Sequence, residues 1–500
     1  MTMTSRRFFI GGLAGMFAAG PRRVFAADPG AFTGGNPALS FGVLSDVHVG
    51  LSKGGAELSP SHGTDTLVKA FEWFRDNGAD AVVIAGDMAH HGCGGELMAV
   101  ADAWFRVFPN GRAPDGRRVE RIFVFGNHDW GAKRAKGIFA KPEELAANTI
   151  SANPKKWWAD AFHEDWSPFF RKEVKGYGFV GAHWCIGDCR GNDEKFTEGL
   201  GEYYDSIKGR IDPAQPFFHV QHPHPKATVH GATVWGQDDG ASVAVLSAHP
   251  NAVSFSGHSH TTLTDERSIW QGAFTAVGCG TLRDVSVSMP GAASDVDGGL
   301  ENWKAPGRRK EKDAVKAMEA LDRTNCRQGQ FVRVYADRVV FTRREFVTDA
   351  ALCDDLVMPL PAAERRPFEF AGRMARARPP AFPAGATLVA KKSKGRLRGA
   401  KKAKKKGRVV DVWELEIPAA VAEPSARPAI YKVVAKGASG AEKTFAMSNE
   451  GMRFSPADPR ANAPAVMRVA CARVPADVKE FSATAVSCWG RVSAPLVVRV

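Results

Sequence analysis

The chain has 500 residues, of which 44% are hydrophobic and 24% are charged, and these values exclude an intrinsically disordered protein. A chain of this length has room for a large core and for more than one domain. The formal net charge of +13 suggests a nucleic-acid-binding protein, but the charge is concentrated in two segments. Residues 1–27 hold four arginines and no acid, and the run Lys391–Arg408 holds 11 basic residues and no acid. The rest of the chain is therefore close to neutral, and no specific nucleic-acid partner is predicted.

The first predicted element is a signal peptide at residues 1–27. Adjacent Arg6 and Arg7 precede a short apolar stretch, Phe8–Ala19, and small residues follow at Val24–Ala27. This layout is typical of a secretory signal, and the segment SRRFFI resembles the twin-arginine (Tat) export signal. An amphipathic surface helix is the alternative. No later segment reaches ~18 consecutive apolar residues, so we expect no transmembrane segment in the mature chain and an exported protein, periplasmic or extracellular.

Residues 28–346 alternate apolar runs with amphipathic stretches. The strand-like runs are Ser40–Ser45, Ala81–Ala85, Arg121–Phe125, Gly178–His183, Phe217–Gln221 and Ala252–Ser256. The helical stretches are Thr64–Asp76, Gly95–Phe108, Glu194–Ile207 and Ala241–Ala248. Apolar strands separated by helices predict an α/β domain whose strands are covered on both faces.

The pattern changes after residue 346. Six prolines between Pro359 and Pro383 indicate a linker at residues 347–380. The short alternating runs VVDVWELEI, AIYKVVAK and VMRVACARV then predict an all-β, Ig-like sandwich at residues 381–500. The basic run Lys391–Arg408 interrupts this domain as an extended loop. We expect it either to be a solvated loop or to bind a polyanion, and its lack of interleaved aromatic residues argues against specific single-strand binding.

Eight cysteines are present, and none falls in a CxxC pair that would predict a structural zinc ribbon. In an oxidising compartment, Cys471–Cys488 and Cys185–Cys189 are the plausible disulfides, with buried free thiols as the alternative.

Five apolar runs end in residue types that bind metals. These residues are Asp46 and His48, then Asp87, then Asn127 with His128 and Asp129, then His222, and finally His258 and His260. Any one of them is more often part of a turn, but together they fall at five strand ends, where α/β proteins place their sites. Oxygen and imidazole ligands without thiolate suit Mn, Fe or Zn, and seven such ligands exceed the needs of one tetrahedral zinc. The set therefore predicts two divalent metal ions that share a carboxylate.

This ordered series resembles the signature of the calcineurin-like metallophosphoesterases, over roughly residues 40–345. The resemblance implies a four-layer fold of two packed mixed sheets flanked by helices, with a dinuclear metal site at the loop ends. The implied ligands of the first metal are Asp46, His48, Asp87 and His260. Those of the second are Asp87, Asn127, His222 and His258, so that Asp87 bridges the two metals.

The same resemblance implies roles for the segment GNHDW. His128 contacts the phosphate and protonates the leaving group, while Asp129 orients its ring. Gly126 is expected to let the chain turn sharply off its strand. His90, His224 and His230 lie close to ligands in sequence and are candidate substrate-binding residues, with surface or structural roles as the alternative.

The expected activity is that of an exported, metal-dependent phosphoric ester hydrolase. A metal-bridging hydroxide would attack a phosphodiester or phosphomonoester, with His128 as general acid; the Asp-x-His version of the signature looks closer to the phosphodiesterase branches. No tyrosine follows Asp87 in GDMAHHG, so the ferric–tyrosinate centre of purple acid phosphatases is not expected. A nucleotide pyrophosphatase of the same fold is one alternative. A non-enzymatic envelope protein that binds polyanions through Lys391–Arg408 is the other.

Overall fold

A computed structural model describes residues 35–185, 199–230, 236–287, 326–396, 409–420 and 427–500. The predicted signal peptide, Cys189 and residues 397–408 of the basic run lie outside these residues. In the part of the chain that the structure describes, no helix is long and apolar enough to cross a bilayer.

The N-terminal part of the chain builds two mixed sheets and their helices. Its strands are β1 Leu39–Leu44, β2 Ala81–Ala85, β3 Glu120–Val124, β4 Phe169–Val174, β5 Tyr177–Ala182, β6 Phe217–Val220, β7 Ala252–Ser256, β8 Ile269–Gln271, β9 Thr275–Gly278, β10 Gln328–Val334, β11 Arg338–Glu345, β12 Ala350–Ala351 and β13 Leu356–Pro359. The helices are α1 Asp65–Asp76, α2 Gly94–Val107, α3 Asn127–Trp130, α4 Ala132–Ala135, α5 Pro142–Asn148, α6 Pro154–Phe162, α7 Leu200–Ile207, α8 Ala241–Leu246 and α9 Phe370–Arg376. The six strands predicted from apolar runs are confirmed to within a residue or two at each end.

The first sheet has the strand order β12-β11-β10-β1-β2-β3, with β13 also paired to β11. In it β1, β2 and β3 are mutually parallel, and β10 pairs with β1 antiparallel. The second sheet has the order β4-β5-β6-β7-β9-β8. Its strands β5, β6, β7 and β9 are parallel to one another. The carboxyl ends of parallel strands meet at one edge of each sheet, and this positions the loops discussed below.

The two sheets pack face to face through a shared apolar core. Phe41 of β1 contacts the rings of Phe179, Phe218 and Phe255 from the second sheet, with centroids 4.8–5.7 Å apart. A second core lies between the first sheet and helices α1, α2 and α6, and a third between the second sheet and helices α7 and α8. Since every central strand is covered on both faces, the strand sequences read as continuous apolar runs. The four-layer α/β arrangement is confirmed.

The C-terminal region is all-β in the residues described. Its strands are β14 Val389–Arg396, β15 Val409–Ile417, β16 Pro428–Gly437, β17 Glu442–Ser448, β18 Ala465–Ala470, β19 Val478–Ser487 and β20 Leu496–Arg499. They form two antiparallel sheets, β14-β15-β18 and β17-β16-β19-β20. Alternate side chains of both sheets share one core, including Trp413, Leu415, Tyr431, Val433 and Phe481, as expected of a β-sandwich.

Two expectations for this half of the chain need correction. The stretch 347–380, predicted as a linker, carries β12 and β13 of the first sheet and helix α9, while the domain boundaries themselves stay a prediction. The basic run does not begin as a loop, because residues 391–396 belong to β14 and pair with β15. Within it Lys391 lies 2.9 Å from Glu414, so part of its charge is already paired. Polyanion binding by the run stays a prediction.

The predicted disulfide between Cys471 and Cys488 is wrong, since both are free thiols. Cys471 packs on the sandwich core, whereas Cys488 is buried in a separate cluster with Met452 and Trp489. Cys189 lies outside the described residues, so its pairing with Cys185 is untested.

Candidate metal centre

All seven predicted ligands come together at the carboxyl ends of five strands. Three loops follow the parallel strands β1, β2 and β3, and two follow β6 and β7 of the facing sheet. The loops meet because the two sheets pack with these edges side by side. Two groups of ligand atoms result, each within 4.8 Å of one another: Asp46, His48 and His260 in the first, and Asp87, His222 and His258 in the second.

In the first group two imidazoles converge on one carboxylate. Nε2 of His260 lies 3.0 Å from Oδ1 of Asp46, and Nε2 of His48 lies 3.8 Å from the same oxygen. The two Nε2 atoms are 3.1 Å apart. The other carboxylate oxygen of Asp46 is occupied, since it accepts hydrogen bonds from the Ser45 hydroxyl and the His258 backbone N–H. Only Oδ1 therefore faces the histidines.

The second group is more deeply buried. Nε2 of His222 lies 3.2 Å from Oδ2 of Asp87, 3.1 Å from Oδ1 of Asn127 and 3.1 Å from Nδ1 of His258. Asn127 thus joins this group as predicted, offering its side-chain oxygen.

Asp87 lies between the two groups. Its Oδ2 is 3.2 Å from Nε2 of His222 and 3.6 Å from Nε2 of His48, which belongs to the first group. Its Oδ1 accepts a hydrogen bond of 2.7 Å from the His128 backbone N–H, which fixes the carboxylate. Oδ1 of Asp46 is 3.9 Å from the same His222 atom, so Asp87 is the carboxylate that lies closer to the second group while still contacting the first.

The donor set fits divalent cations. Oδ1 of Asp46 is fully buried, and its neighbours are the Nε2 atoms of His260 and His48, so a buried negative charge lies among imidazole nitrogens and is costly unless a positive charge compensates it. Nδ1 of His222 donates to the Ala85 carbonyl at 2.7 Å, and Nδ1 of His260 donates to the Asp284 carbonyl at 3.1 Å. These outer hydrogen bonds orient both rings so that Nε2 faces the centre, as in metal-binding histidines.

Backbone strain is concentrated in the same residues. Five of the seven ligands have left-handed backbone with φ between 52° and 70°: Asp46, His48, Asp87, His258 and His260. Residues other than glycine rarely adopt this backbone conformation, and such strained residues cluster at functional sites. The fold therefore holds these residues in place at a cost in stability.

The electrostatics of the centre favour positive charge. Although burial alone would lower it, the carboxylates of Asp87 and Asp46 raise the pKa of His222 to about 9. Asp46 likewise raises the pKa of His260 against the effect of burial. Against the opposing effect of burial, His260 and His222 hold the pKa of Asp46 well below its usual range. The cation-free centre thus retains protons on histidines that a metal would displace.

His128 lies beside the centre, but Asp129 does not orient it. Nδ1 of His128 donates to the His90 carbonyl at 2.8 Å, and its ring lies 4.4 Å from that of His48. The carboxylate of Asp129 accepts instead from the backbone N–H groups of Met88, Ala89 and Gly126, at 3.2, 2.6 and 2.7 Å. The predicted direct contact is therefore wrong. Asp129 fixes the loop after Asp87, and that loop presents the carbonyl that orients His128.

The glycine before Asn127 is required by space and not by backbone conformation. Gly126 lies between the end of β3 and the start of α3, where the chain changes direction, but its φ of −108° is one that any residue can adopt. A Cβ there would lie 2.3 Å from Oδ1 of Asp87 and 2.8 Å from Cδ2 of His222. Gly257 is crowded in the same way, since its Cβ would lie 2.5 Å from Oδ2 of Asp46. Both glycines let two loops approach closely enough to share the centre.

The three candidate substrate-binding histidines have different positions. The His90 ring is half-buried beside the centre, with its Nδ1 3.4 Å from Nδ1 of His48. His224 and His230 are buried behind it, each 1% exposed. Both ring nitrogens of His224 are hydrogen-bonded, to Ser256 and Ser259. The structure does not place His224 or His230 where a substrate could contact them.

Sequence reasoning missed residues that surround the centre. The Ser45 hydroxyl donates to Asp46 Oδ2 and contacts the Ala85 carbonyl, joining the first two ligand loops. His62 lies next to His90 and Arg283 contacts His62, and both come from loops without regular structure. Ser45 directly precedes a ligand and could have been found, whereas nothing in the sequence around His62 or Arg283 marks them.

Comparison with known proteins agrees with this geometry. Residues 39–262 match the family model of the calcineurin-like phosphoesterases, a range that contains all seven ligands. Over these residues the chain is similar to the calcineurin-like phosphoesterases. No curated protein matches the chain by sequence.

Solved structures also match, at low identity. A dimetal phosphatase from Danio rerio is 12% identical, covers 65% of this chain and 99% of its own, and has a TM-score of 0.34. A purple acid phosphatase from yellow lupin (Lupinus luteus) seeds is 11% identical, covers 64% of this chain and 54% of its own, and has a TM-score of 0.37. Similarity at this level carries no information about the reaction of this chain.

Proposed function

We propose that the protein is a metal-dependent phosphoesterase that hydrolyses phosphodiesters or phosphomonoesters at this centre. The observation that carries the proposal is the position of Asp87, whose Oδ2 faces one histidine of each ligand group. Asp46, His48 and His260 with Asp87 would hold one divalent cation, and Asp87, Asn127, His222 and His258 the other. When bound, two such cations lower the pKa of a water molecule and neutralise charge that develops on the phosphate.

The residues of the chain supply positioning and proton transfer. Nδ1 of His128 is hydrogen-bonded to the backbone carbonyl of His90, and because a carbonyl only accepts, Nδ1 carries a proton. Nε2 of His128 is then the nitrogen that remains for the substrate. Burial lowers the pKa of His128 to about 3, against the opposing effect of Asp87, so its free ring is neutral at pH 7. A bound phosphate raises this pKa through its negative charge. His128 then protonates the ester oxygen as the P–O bond breaks.

The substrate is proposed to be a phosphate ester met outside the cytoplasm. The sequence of residues 1–27 supports export, and folded export would let the centre load with metal before secretion. Nucleotide pyrophosphate hydrolysis is the alternative reaction for the same centre, since it also breaks a P–O bond beside a phosphate.

The test is hydrolysis of a chromogenic phosphodiester and the matching monoester by the Mn-loaded protein, with and without chelator. We expect turnover that the chelator abolishes, with the ratio of the two rates defining the ester class. His128→Asn should keep both metals, measured by elemental analysis, and lose turnover by about a hundredfold or more. Wild-type turnover in His128→Asn would remove His128 from the reaction. A metal-loaded wild type that hydrolyses neither ester nor a nucleotide pyrophosphate would refute the proposed function.

A further inference from the structure

A row of side chains leads away from the first ligand group. Nδ1 of His90 lies 3.4 Å from Nδ1 of His48, and the His90 ring lies 4.4 Å from the ring of His62. Nδ1 of His62 in turn lies 3.4 Å from a terminal nitrogen of Arg283. Two imidazoles thus connect a metal ligand to a guanidinium.

Among the residues that the structure describes, no carboxylate forms an ion pair with Arg283. Its guanidinium donates to the Ser61 carbonyl and to His62. In the described ranges no acid lies within salt-bridge distance of it, although its neighbour Asp284 contributes a negative charge nearby. Arg283 is half-buried, so its contacts hold the guanidinium in one place while part of it faces solvent.

The centre is more open on the side of this row. The second ligand group is almost fully buried, with His222 at 0% and His258 at 3% exposure. The side chain of His260 in the first group is 21% exposed, and His128, His90 and His62 are all half-buried. A substrate that reaches the centre therefore passes along the first group, and the part that extends outward lies over His90 and His62 toward Arg283.

We propose that Arg283, supported by His62 and His90, forms a subsite for a second phosphate group of the substrate. The inference rests on the proposed function, because it assumes that a first phosphate is bound at the metal centre. A guanidinium presents planar paired N–H donors that match phosphate oxygens. Since Arg283 can only donate, Nδ1 of His62 accepts and the proton of that ring lies on Nε2, as a further donor. The substrate class is an organic ester with two phosphates, one of which is not cleaved.

The test compares ligands that differ by one anionic group. Calorimetry with the Mn-saturated protein measures the affinities of alkane α,ω-diphosphonates from ethane to hexane, each against the alkylphosphonate of the same length. Neither probe is hydrolysed, so the result does not depend on turnover. We compare the wild type with Arg283→Gln, which removes the charge, and Arg283→Lys, which keeps it. Arg112→Gln is the control, because Arg112 also donates to a backbone carbonyl, that of Gly116, and is an exposed residue that precedes β3, at the end opposite Asn127.

We expect the wild type to prefer the diphosphonate at one chain length and Arg283→Gln to reduce that preference about tenfold. Arg283→Lys should retain most of it, and Arg112→Gln should not change it. A wild type without preference at every length, or an unchanged preference in Arg283→Gln, would overturn the subsite. If the protein prefers the diphosphonate but hydrolyses no ester, the proposed function alone is contradicted. If it hydrolyses an ester but does not prefer any diphosphonate over the matching alkylphosphonate, the subsite alone is contradicted.

Discussion

Gly126→Ala tests whether the close approach of two loops creates the metal centre. The added Cβ would lie 2.3 Å from Oδ1 and 2.5 Å from the backbone nitrogen of Asp87. Nonbonded heavy atoms prefer separations of about 3.5–4.0 Å, so the overlap is about 1 Å. The Asp87 backbone cannot rotate away as a long side chain can. Its Oδ1 is also held by the hydrogen bond from the His128 N–H, which the displacement would break.

Overpacking of this kind costs about 1–3 kcal/mol. If Asp87 moves, the cost appears in metal binding, and about 2 kcal/mol corresponds to about a thirtyfold weaker affinity. If the loop of Gly126 moves instead, the cost appears in the stability of the metal-free protein. Calorimetric titration with Mn²⁺ and thermal denaturation of the metal-free form measure the two contributions separately.

The matched control is Gly209→Ala. Gly209 is exposed, and a Cβ there would meet no heavy atom within 4 Å. We expect this variant to match the wild type in both measurements. If Gly126→Ala binds metal and unfolds as Gly209→Ala does, the close approach at Gly126 is not required and the argument fails.

Two further predictions concern pH and export. Asp87 and Asp46 raise the pKa of His222 to about 9, against the effect of burial, so a metal that binds at pH 7 must displace a proton from this ring. The apparent affinity for the metal should therefore rise by up to about tenfold per pH unit between pH 7 and 9. In the metal-free protein the same shift adds stability that is fully present below pH ~6.5, the unfolded value, and is lost as pH rises through 9. An affinity independent of pH in that window would contradict this charge balance. For export, replacing both Arg6 and Arg7 by Lys should retain the protein in the cytoplasm, and unchanged secretion by cell fractionation would exclude a twin-arginine signal.

The ligand positions could be predicted because they depend on few features of the fold. An apolar run reads as a buried strand, and parallel strands in packed sheets end at a common edge. Asp46, Asp87 and His222 directly follow such runs or stand within two residues of their ends, so their convergence requires only the correct sheet order. The loop conformations between them did not have to be known.

The errors have physical causes that lie outside such patterns. The family resemblance assigns Asp129 to the His128 ring, yet its carboxylate accepts from three backbone N–H groups, and two of these depend on the path of the loop after Asp87. The prolines after residue 346 suggested a linker, but Pro359 ends β13 at the margin of the first sheet, where proline is tolerated. His62 and Arg283 were missed because their loops meet only after the sheets have packed.

The sandwich also has a role in the site that its alternating sequence does not indicate. The loop after His260 is held by Gln328, whose side-chain oxygen accepts from the Leu263 N–H at 2.7 Å. The amide nitrogen of Gln328 donates at 2.7 Å to the carbonyl of Arg453, which belongs to the sandwich. Trp489 of the sandwich donates at 2.7 Å to Glu266, a few residues further along the same loop. Because one buried side chain satisfies groups in both domains, displacing the sandwich would leave it with unpaired polar atoms and loosen the loop. The sandwich therefore supports the loop after His260 through the Arg453 carbonyl and the Trp489 indole, and neither contact is evident from the alternating sequence.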